Sequence, residues 1–399
     1  MIRALIHNDF TKAIKFSCRR LLGKEGSFVS LKDYARKHPE LVTYLSQDKE
    51  TTIYAENQID INYESAMRVG EAIDTSVVLV KGASCFAYSD IILLNDRYYY
   101  SEIKDNPIIG RASSCVDGYV LKTDKKYYYE VEIPSKKQRL KEGIFLSGLF
   151  SWNYYHFTYQ IVAKLQWVET IAPDVPLLVD KKATEIPSFA SLLGVCNTQH
   201  RPIVVLEEKV QYAVENLYLV SATTFLLPNY KIGVVPPTVE CLYRPSTLRY
   251  LREKIVPFGK YSPSYPKRIF LGRKCVTSGR RPFNEEECIA CAEDFGFEVV
   301  YPELMSLEQQ VGLFNHADCI IGGSGAAFTN LIYCNKKVKV VVLSKYHVNF
   351  ALWQTVVDYI GGKLCYLEER EGQIQPPQLL QAPFHIDVQK LKEKLYEIV

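Results

Sequence analysis

Apolar runs and stretches of helical spacing alternate in the last third of the chain. Short apolar, often β-branched runs predict strands at 269–271, 297–301, 319–321 and 338–343. Helical spacing predicts helices between them, at 284–295, 306–315 and 326–333. Asn284 with Glu287, and Ser306 with Gln309, have the spacing of capping boxes at two of these helix starts. Strands that alternate with helices of about ten residues indicate βαβ units and a parallel sheet.

The N-terminal part has a different pattern. Its residues 51–133 contain short β-type runs between turn residues, at 77–80, 91–94, 98–103 and 127–133. An apolar strand at 144–149 then leads into a helix, followed by strands at 176–179, 203–206 and 210–220. Residues 10–22 form a basic amphipathic helix pattern, and residues 32–45 predict a second helix. The centre of this part is therefore also predicted to be α/β.

A chain of 399 residues suits two domains. Pro236, Pro237 and Pro245 mark the predicted junction. We predict an N-terminal α/β domain at 1–235, with a β-rich insertion at about 51–133, and a C-terminal Rossmann-like domain at 236–399. A last amphipathic helix is predicted at 386–398.

Composition and charge exclude several classes of protein. A net charge of +3 is too mild for the concentrated basic face that nucleic acid requires. The eleven cysteines show no disulfide framework, which favours a reducing compartment. Cys288 and Cys291 form a CxxC pair inside a predicted helix, and without further ligands they indicate buried thiols rather than a zinc site. The uncharged segment 143–163 is long enough to cross a membrane, but its polar side chains argue against a span.

Gly322, Gly323, Ser324 and Gly325 join a predicted strand to the next helix. Such a turn presents backbone N–H groups at the positive end of a helix, which suits a diphosphate. Its alternative role is to let the helix approach its strand closely. Ligands bind parallel sheets outside the carboxyl ends of the strands, which is where this turn is predicted to lie.

Charged side chains follow the neighbouring strands. Arg273 follows the strand at 269–271, and Arg280 and Arg281 lie in the next turn. These cations either converge on one phosphate group or form a solvated basic loop. Glu303 follows the strand at 297–301, where a carboxylate can accept hydrogen bonds from a ribose diol or can simply be exposed.

The run from Arg268 to Cys334, with RIFLGRK, GRRPFNEEE and ADCIIGGSGAAFTNLIYC, resembles glycosyltransferase family 61. A second matching segment, N-Y-Y-H-F at 153–157, continues to Lys164. The resemblance implies a GT-B fold of two Rossmann-like domains, with the nucleotide sugar held mainly by the C-terminal one. In two-lobed transferases a last helix often packs across the first domain, and we expect this of 386–398.

The resemblance also implies roles for individual residues. The residues expected to bind the nucleotide sugar are Arg273, Arg280, Glu303, Gly323, Ser324, Gly325 and Asn330. The acceptor side has Asn153, Tyr155 and Gln160, with His156 as the candidate general base or, alternatively, a buried structural histidine. The family usually has a His where Ser324 stands, and an acid where Gln160 stands. Loss of that acid is expected to remove the partner that fixes the His156 tautomer.

The resemblance therefore implies an inverting, metal-independent glycosyltransferase that uses a nucleotide sugar, with UDP as the expected nucleotide, and needs no further cofactor. The alternatives are a binding-only homologue and a GT-B-shaped sugar-nucleotide epimerase. Residues 1–10 lack the apolar core of a signal peptide, so we expect a bacterial cytoplasmic protein. The acceptor is expected to be a capsular, exopolysaccharide or lipid-linked glycan. The helix at 10–22 either packs on its own domain or contacts the inner face of the cell membrane.

Overall fold

The structure is a computed structural model that describes residues 25–64, 67–96, 98–102, 120–123, 128–131, 133–226, 241–273, 282–346, 351–370 and 382–399. The predicted helix at 10–22, Arg280, Arg281 and the prolines at 236 and 237 lie outside these residues.

Thirteen of the described strands form one mixed sheet. They are β1 (Glu25–Phe28), β2 (Val42–Ala55), β3 (Met67–Cys85), β4 (Ile92–Leu94), β5 (Tyr98–Tyr100), β6 (Val120–Thr123), β7 (Tyr128–Val131), β8 (Lys136–Leu146), β9 (Leu177–Asp180), β10 (Ile203–Leu206), β11 (Val210–Val220), β12 (Thr224–Leu226) and β13 (Cys241–Tyr243). The main order is β10-β9-β8-β11-β3-β4-β5-β1-β7-β6, and β2 joins β3 to β13 and β12. We call it the first sheet.

The predicted β-rich insertion is part of this first sheet. Strand β3 pairs antiparallel with β11 from Cys85 and Tyr212 to Val77 and Val220. Among the described strands, β10, β9, β8 and β11 form the longest run of parallel neighbours, and β1 with β5 is a further parallel pair. The first sheet is therefore mixed, with long antiparallel pairs, and the predicted two-Rossmann GT-B arrangement is not confirmed.

The helices that pack beside the first sheet are α1 (Leu31–Lys37), α2, α3 (Lys182–Glu185), α4 (Pro187–Cys196) and α5 (Pro245–Ile255). Helix α2 is irregular and consists of an α-helical turn, a π-helical part and a 3₁₀ part: Tyr154–His156, Phe157–Ile161 and Val162–Trp167. The predicted helix at 32–45 is too long. It ends at Lys37, before Pro39, and the β-forming residues from Val42 begin β2.

The remaining five strands form a second sheet in which all neighbours are parallel. They are β14 (Arg268–Leu271), β15 (Glu298–Val300), β16 (Cys319–Gly323), β17 (Lys339–Tyr346) and β18 (Lys363–Arg370), in the order β15-β14-β16-β17-β18. The helices are α6 (Glu285–Glu293), α7 (Leu307–His316), α8 (Ala351–Ile360) and α9 (Val388–Ile398), with a 3₁₀ segment at Ala326–Tyr333. This is the predicted βαβ pattern, and Ser306 with Gln309 forms the predicted capping box. The strand order reverses between β14 and β16.

One apolar cluster lies between the two sheets. It contains Ile144 and Leu177 of the first sheet together with Ile320 and Val340 of the second. A backbone bond from Ala55 to the Thr355 hydroxyl (2.9 Å) also joins β2 to α8. Strand β13 belongs to the first sheet, so the chain leaves that sheet only after Tyr243.

The last helix, α9, packs on the second sheet. Its apolar residues Leu391, Leu395 and Ile398 join a cluster with residues of β14, β16 and α6, to which the N-terminal residue Ile61 also belongs. In these contacts its apolar face covers the outer face of the second sheet, and the expectation that it packs across the first domain stays a prediction. Asn284 does not cap α6 as predicted, since its side chain exchanges two hydrogen bonds with the backbone of Ile386 (2.8 and 3.0 Å).

Candidate active site

Arg273 connects the two strands at which the order of the second sheet reverses. It follows β14, and its Nη2 donates to the carbonyl oxygens of Gly323 (2.8 Å), the last residue of β16, and of Ser324 (2.7 Å). In open α/β sheets this reversal point is where ligands bind. The structure thus brings together Arg273, Gly323, Ser324 and Gly325, as the sequence predicts.

The glycines allow this approach. A Cβ on Gly323 would lie 3.0 Å from Arg273 Nη2 and 2.8 Å from the Phe283 ring, and one on Gly325 would lie 3.1 Å from the same nitrogen. The Ser324 N–H donates to the Leu343 carbonyl (2.9 Å), inside the sheet. At this point the turn therefore presents carbonyl oxygens to a bound guanidinium, and the positive charge of the site comes from Arg273.

Two carboxylates lie near Arg273. Burial lowers the pKa of its guanidinium, and the charges of Glu285 and Glu303 act in the opposite direction. Burial raises the pKa of Glu285, which the Arg273 charge partly offsets. Glu285 Oε1 is buried and accepts no hydrogen bond from any described residue. Glu303 is exposed in the 3₁₀ turn Pro302–Leu304 after β15.

Sequence reasoning missed Glu285, since it stands in a run of three acids at a helix start, which is ordinary for helix N-termini. Only the interaction with Arg273, which lies earlier in the chain, distinguishes Glu285 from the other two acids of this run.

Asn330 lies inside the protein, fully buried. Its Oδ1 accepts from the Tyr154 hydroxyl (3.0 Å) and its Nδ2 donates to Gln310 Oε1 (2.8 Å). Asn330 therefore joins α2 to the 3₁₀ segment and to α7. Direct contact with a nucleotide would require these bonds to break.

His156 is held by Gln160 in the irregular helix α2. Its Nδ1 lies 2.6 Å from Gln160 Oε1, and Gln160 Nε2 lies 3.4 Å from the Thr224 carbonyl oxygen. Because an amide oxygen only accepts, this arrangement places the imidazole hydrogen on Nδ1 and leaves Nε2 as the acceptor. The expectation that Gln160 leaves the tautomer unfixed is wrong. A π-helical turn such as Phe157–Ile161 is frequent at functional sites.

Burial lowers the pKa of His156 to about 4, and the hydrogen bond to Gln160 offsets part of that effect. The imidazole is therefore neutral at pH 7. The main cause is desolvation rather than the helix dipole. The same low pKa makes Nε2 a weak proton acceptor.

The loop before α2 is fixed by a buried carboxylate. Asp180, at the end of β9, accepts from the Ser147 hydroxyl (2.8 Å), the Ser151 hydroxyl and the Tyr88 N–H (2.8 Å). Burial raises its pKa to about 6. Within this loop Phe150 has a φ of 64°, uncommon outside glycine, and its ring lies 5.2 Å from that of His156.

The other predicted acceptor-side residues have structural partners. Asn153 Oδ1 caps α2 by accepting from the Tyr155 N–H (3.0 Å). The Tyr155 hydroxyl is buried and shares a hydrogen bond with the Tyr243 hydroxyl (2.7 Å). Tyr155 thus points into the core, while His156 and Gln160 line a small cavity of about 80 Å³.

The family model described as Glycosyltransferase 61 matches residues 154–341. This part of the chain belongs to glycosyltransferase family 61. No curated protein matches the chain.

The family 61 segment begins at the first residue of α2 and ends within β17. It therefore contains His156, Arg273 and the glycine-rich turn, but not β1 to β8. The cavity beside His156 is lined by residues from inside and from outside this segment, because Asp90 and Glu102 precede it in the chain.

Two further observations concern the described residues. None of their helices is both long and apolar enough to span a membrane. They contain no group of three or more His, Cys, Asp or Glu side chains arranged to hold a metal ion.

Proposed function

We propose that the protein is an inverting, metal-independent glycosyltransferase that transfers a sugar from a nucleotide-sugar donor, UDP-linked, to a hydroxyl of a glycan. The family match supports the reaction class. The observation that carries the proposal is the position of Arg273, which binds the glycine-rich turn where the strand order reverses. A partly buried cation there is placed to stabilise the negative charge of a departing nucleoside diphosphate.

In the proposed reaction the acceptor hydroxyl attacks the anomeric carbon while the bond to the diphosphate breaks. The hydroxyl proton goes to a base, and Arg273, with Arg280, holds the diphosphate. We propose His156 Nε2 as the base, because Nδ1 is occupied by Gln160. Asp90 is the alternative base, since this exposed carboxylate lines the same cavity.

The second candidate function is nucleotide-sugar binding without catalysis. It is favoured by the low pKa of His156 and by the neutral Gln160, which cannot stabilise an imidazolium as an acid would.

The cellular setting is also a proposal. The resemblance supports a glycan acceptor of the capsular, exopolysaccharide or lipid-linked kind. The basic pattern at 10–22 supports contact with the inner face of the cell membrane by a cytoplasmic protein.

The test is a donor screen with the full chain. Calorimetry with UDP measures binding, and release of the nucleoside diphosphate from a panel of nucleotide sugars measures turnover. NMR of the glycoside formed on a simple alcohol reports the anomeric configuration. An inverted product supports the proposal, binding without release supports the second candidate, and conversion of the donor into its epimer indicates an epimerase. If the protein neither binds UDP nor releases a nucleoside diphosphate from any donor, all three candidate functions are overturned.

A further inference from the structure

Asp180 is a buried carboxylate that the proposed reaction does not use. It is the last residue of β9 and is 2% exposed. Strand β8 lies parallel to β9, with Leu146 opposite Val179, so the chain that leaves β8 passes beside Asp180. Asp180 does not line the cavity that contains His156. An effect of Asp180 on the reaction must therefore pass through other residues.

The hydrogen bonds of Asp180 hold both ends of the loop 147–151. Its Oδ1 accepts from the Ser147 hydroxyl (2.8 Å), and its Oδ2 accepts from the Ser151 hydroxyl. Within the loop, the Ser151 N–H donates to the Gly148 carbonyl oxygen (3.1 Å). One carboxylate can accept these bonds at both oxygens, whereas an asparagine has a single acceptor oxygen and cannot repeat the arrangement.

Two residues beside Asp180 have a backbone conformation that is uncommon for large side chains. Phe150, inside the loop, has a φ of 64°, and Tyr88, whose N–H donates to Asp180 Oδ1 (2.8 Å), has a φ of 55°. Left-handed backbones in residues other than glycine persist where the surrounding contacts hold them, and they cluster at functional sites. The bonds to Asp180 supply such contacts to both segments.

Phe150 connects this loop to His156. Its ring lies 5.2 Å from the imidazole, with an angle of 39° between the planes. Both side chains line the cavity of about 80 Å³. Gln160 Oε1 holds the imidazole at Nδ1 (2.6 Å). The imidazole is therefore fixed by a hydrogen bond at one nitrogen and by an aromatic ring packed against it, and together these contacts set the direction of Nε2.

We propose that Asp180 is a positioning residue for the base His156. Its bonds to the loop 147–151 hold Phe150 in the left-handed conformation, and the Phe150 ring keeps Nε2 of the imidazole directed at the acceptor hydroxyl. The inference rests on the proposed glycosyltransferase function and deepens it, because it gives a role to a residue that does not touch the substrate. A misplacement of about 1 Å is enough to slow an enzymatic reaction considerably.

The main test is Asp180→Asn. We expect kcat of sugar transfer to fall about 10- to 100-fold, the effect of a small misplacement of the base. Calorimetry should show unchanged UDP affinity, because Arg273 lies on the second sheet. The control Asp294→Asn removes an exposed aspartate at the end of α6 and should behave as the wild type does.

An NMR titration of His156 separates positioning from a general role in folding. In Asp180→Asn its pKa should rise from about 4 towards the ordinary value of about 6.5, because displacement of the Phe150 ring admits water to the imidazole. The charged side chains that share the cavity are unaltered by this substitution, and they are Asp90, Glu102 and Lys164. A carboxylate that only stabilises the fold would leave the pKa of His156 in the folded protein unchanged.

Two further variants cover the case in which Asp180→Asn does not fold. Ser151→Ala removes one bond and should cause the same changes to a smaller extent. Phe150→Ala should reproduce both changes, and Asp180→Asn should add nothing to it, because the two substitutions act through one contact.

A His156 pKa that stays at about 4 in the folded variants, or additive effects in the double variant, would overturn the inference. If the wild type turns over a donor and the variants keep its kcat, the positioning role fails while the proposed function stands. If the wild type turns over no donor, the proposed function fails, and the NMR titration alone decides whether Asp180 positions His156.

Discussion

The two sheets position their candidate functional side chains in different ways. In the second sheet, Arg273, Glu303 and the glycine-rich turn all follow the carboxyl ends of regular parallel strands. Beside the first sheet, His156 lies on a helix that changes from α to π geometry, after a loop in which Phe150 has a left-handed backbone. The position of Arg273 thus follows from the topology of its sheet, whereas the position of His156 depends on individual side-chain contacts.

The difference has an electrostatic counterpart. At the second sheet Arg273 is partly buried, has carboxylates nearby and keeps its charge. At the first sheet His156 is hydrogen-bonded to the neutral side chain of Gln160, and burial leaves the imidazole uncharged at pH 7. We therefore propose different tasks for the two sites, holding an anion at Arg273 and accepting a proton at His156.

The strongest test of this division is His156→Ala. If Nε2 is the base, kcat should fall about 10²–10⁴-fold, because proton transfer in the transition state is lost. UDP affinity and melting temperature should hardly change, and the exposed His385→Ala is the control. A lower melting temperature with normal turnover per folded molecule would mean a structural histidine. An intact rate, combined with a large loss in Asp90→Asn, would move the base to Asp90.

Arg273→Ala tests the other site. We expect UDP affinity to fall by about 1.5–3 kcal/mol, the range for hydrogen bonds to charged groups. Arg268→Ala is a matched control, since Arg268 lies at the opposite end of the same strand and donates to the Phe295 carbonyl (2.7 Å). Arg280→Ala should resemble Arg273→Ala and Arg281→Ala should be milder. Wild-type affinity in a folded Arg273→Ala protein would remove Arg273 from the donor site.

Gln160→Glu asks whether the neutral partner sets the proton affinity of His156. A carboxylate at this position favours the imidazolium, so the pKa should rise from about 4 by about 1–3 units. The acid limb of the kcat/KM profile should move upward in pH by the same amount. NMR titration of the imidazole checks the shift directly, with Gln309→Glu on the surface of α7 as the control. An unmoved pKa would show that Gln160 does not face His156.

Asp180 gives a prediction about stability. Its folded pKa of about 6 lies above the ordinary value for aspartate, so the folded state binds more protons between about pH 4 and 6. Its contribution to the free energy of unfolding therefore decreases as pH rises through that window, by about 2–3 kcal/mol. Urea unfolding at pH 4.5 and 7 should show a smaller decrease for Asp180→Asn than for the wild type. Equal decreases in the two proteins would contradict the raised pKa.

The last prediction concerns removal of metal ions, for which we expect no effect on activity. We expect activity to be unchanged after treatment with EDTA, because the proposed diphosphate ligands are arginines. Loss of activity on chelation, with recovery in Mg²⁺ or Mn²⁺, would contradict metal independence.

Sequence pattern predicted most of the second sheet, because β14, β16 and β17 contain short, buried, apolar runs that alternate with stretches of helical spacing. It also placed Arg273 and the Gly323–Gly325 turn at one edge, since parallel strands bring their carboxyl ends together. It did not predict that β2 and β3 continue the first sheet, because pairing partners far apart in sequence leave no local periodicity. The proximity of Glu285 to Arg273 could not be predicted for the same reason.

The apolar cluster shared by the two sheets has a consequence for synthesis. The ring of Tyr155 packs edge to face against Trp353, with the centroids 5.4 Å apart, although Trp353 follows about 200 residues later. At a translation rate of about 5–20 residues per second, that face of α2 stays uncovered for about 10–40 s after it is made. A nascent chain that ends before α8 therefore exposes aromatic surface, and we expect chaperones to bind it during this interval.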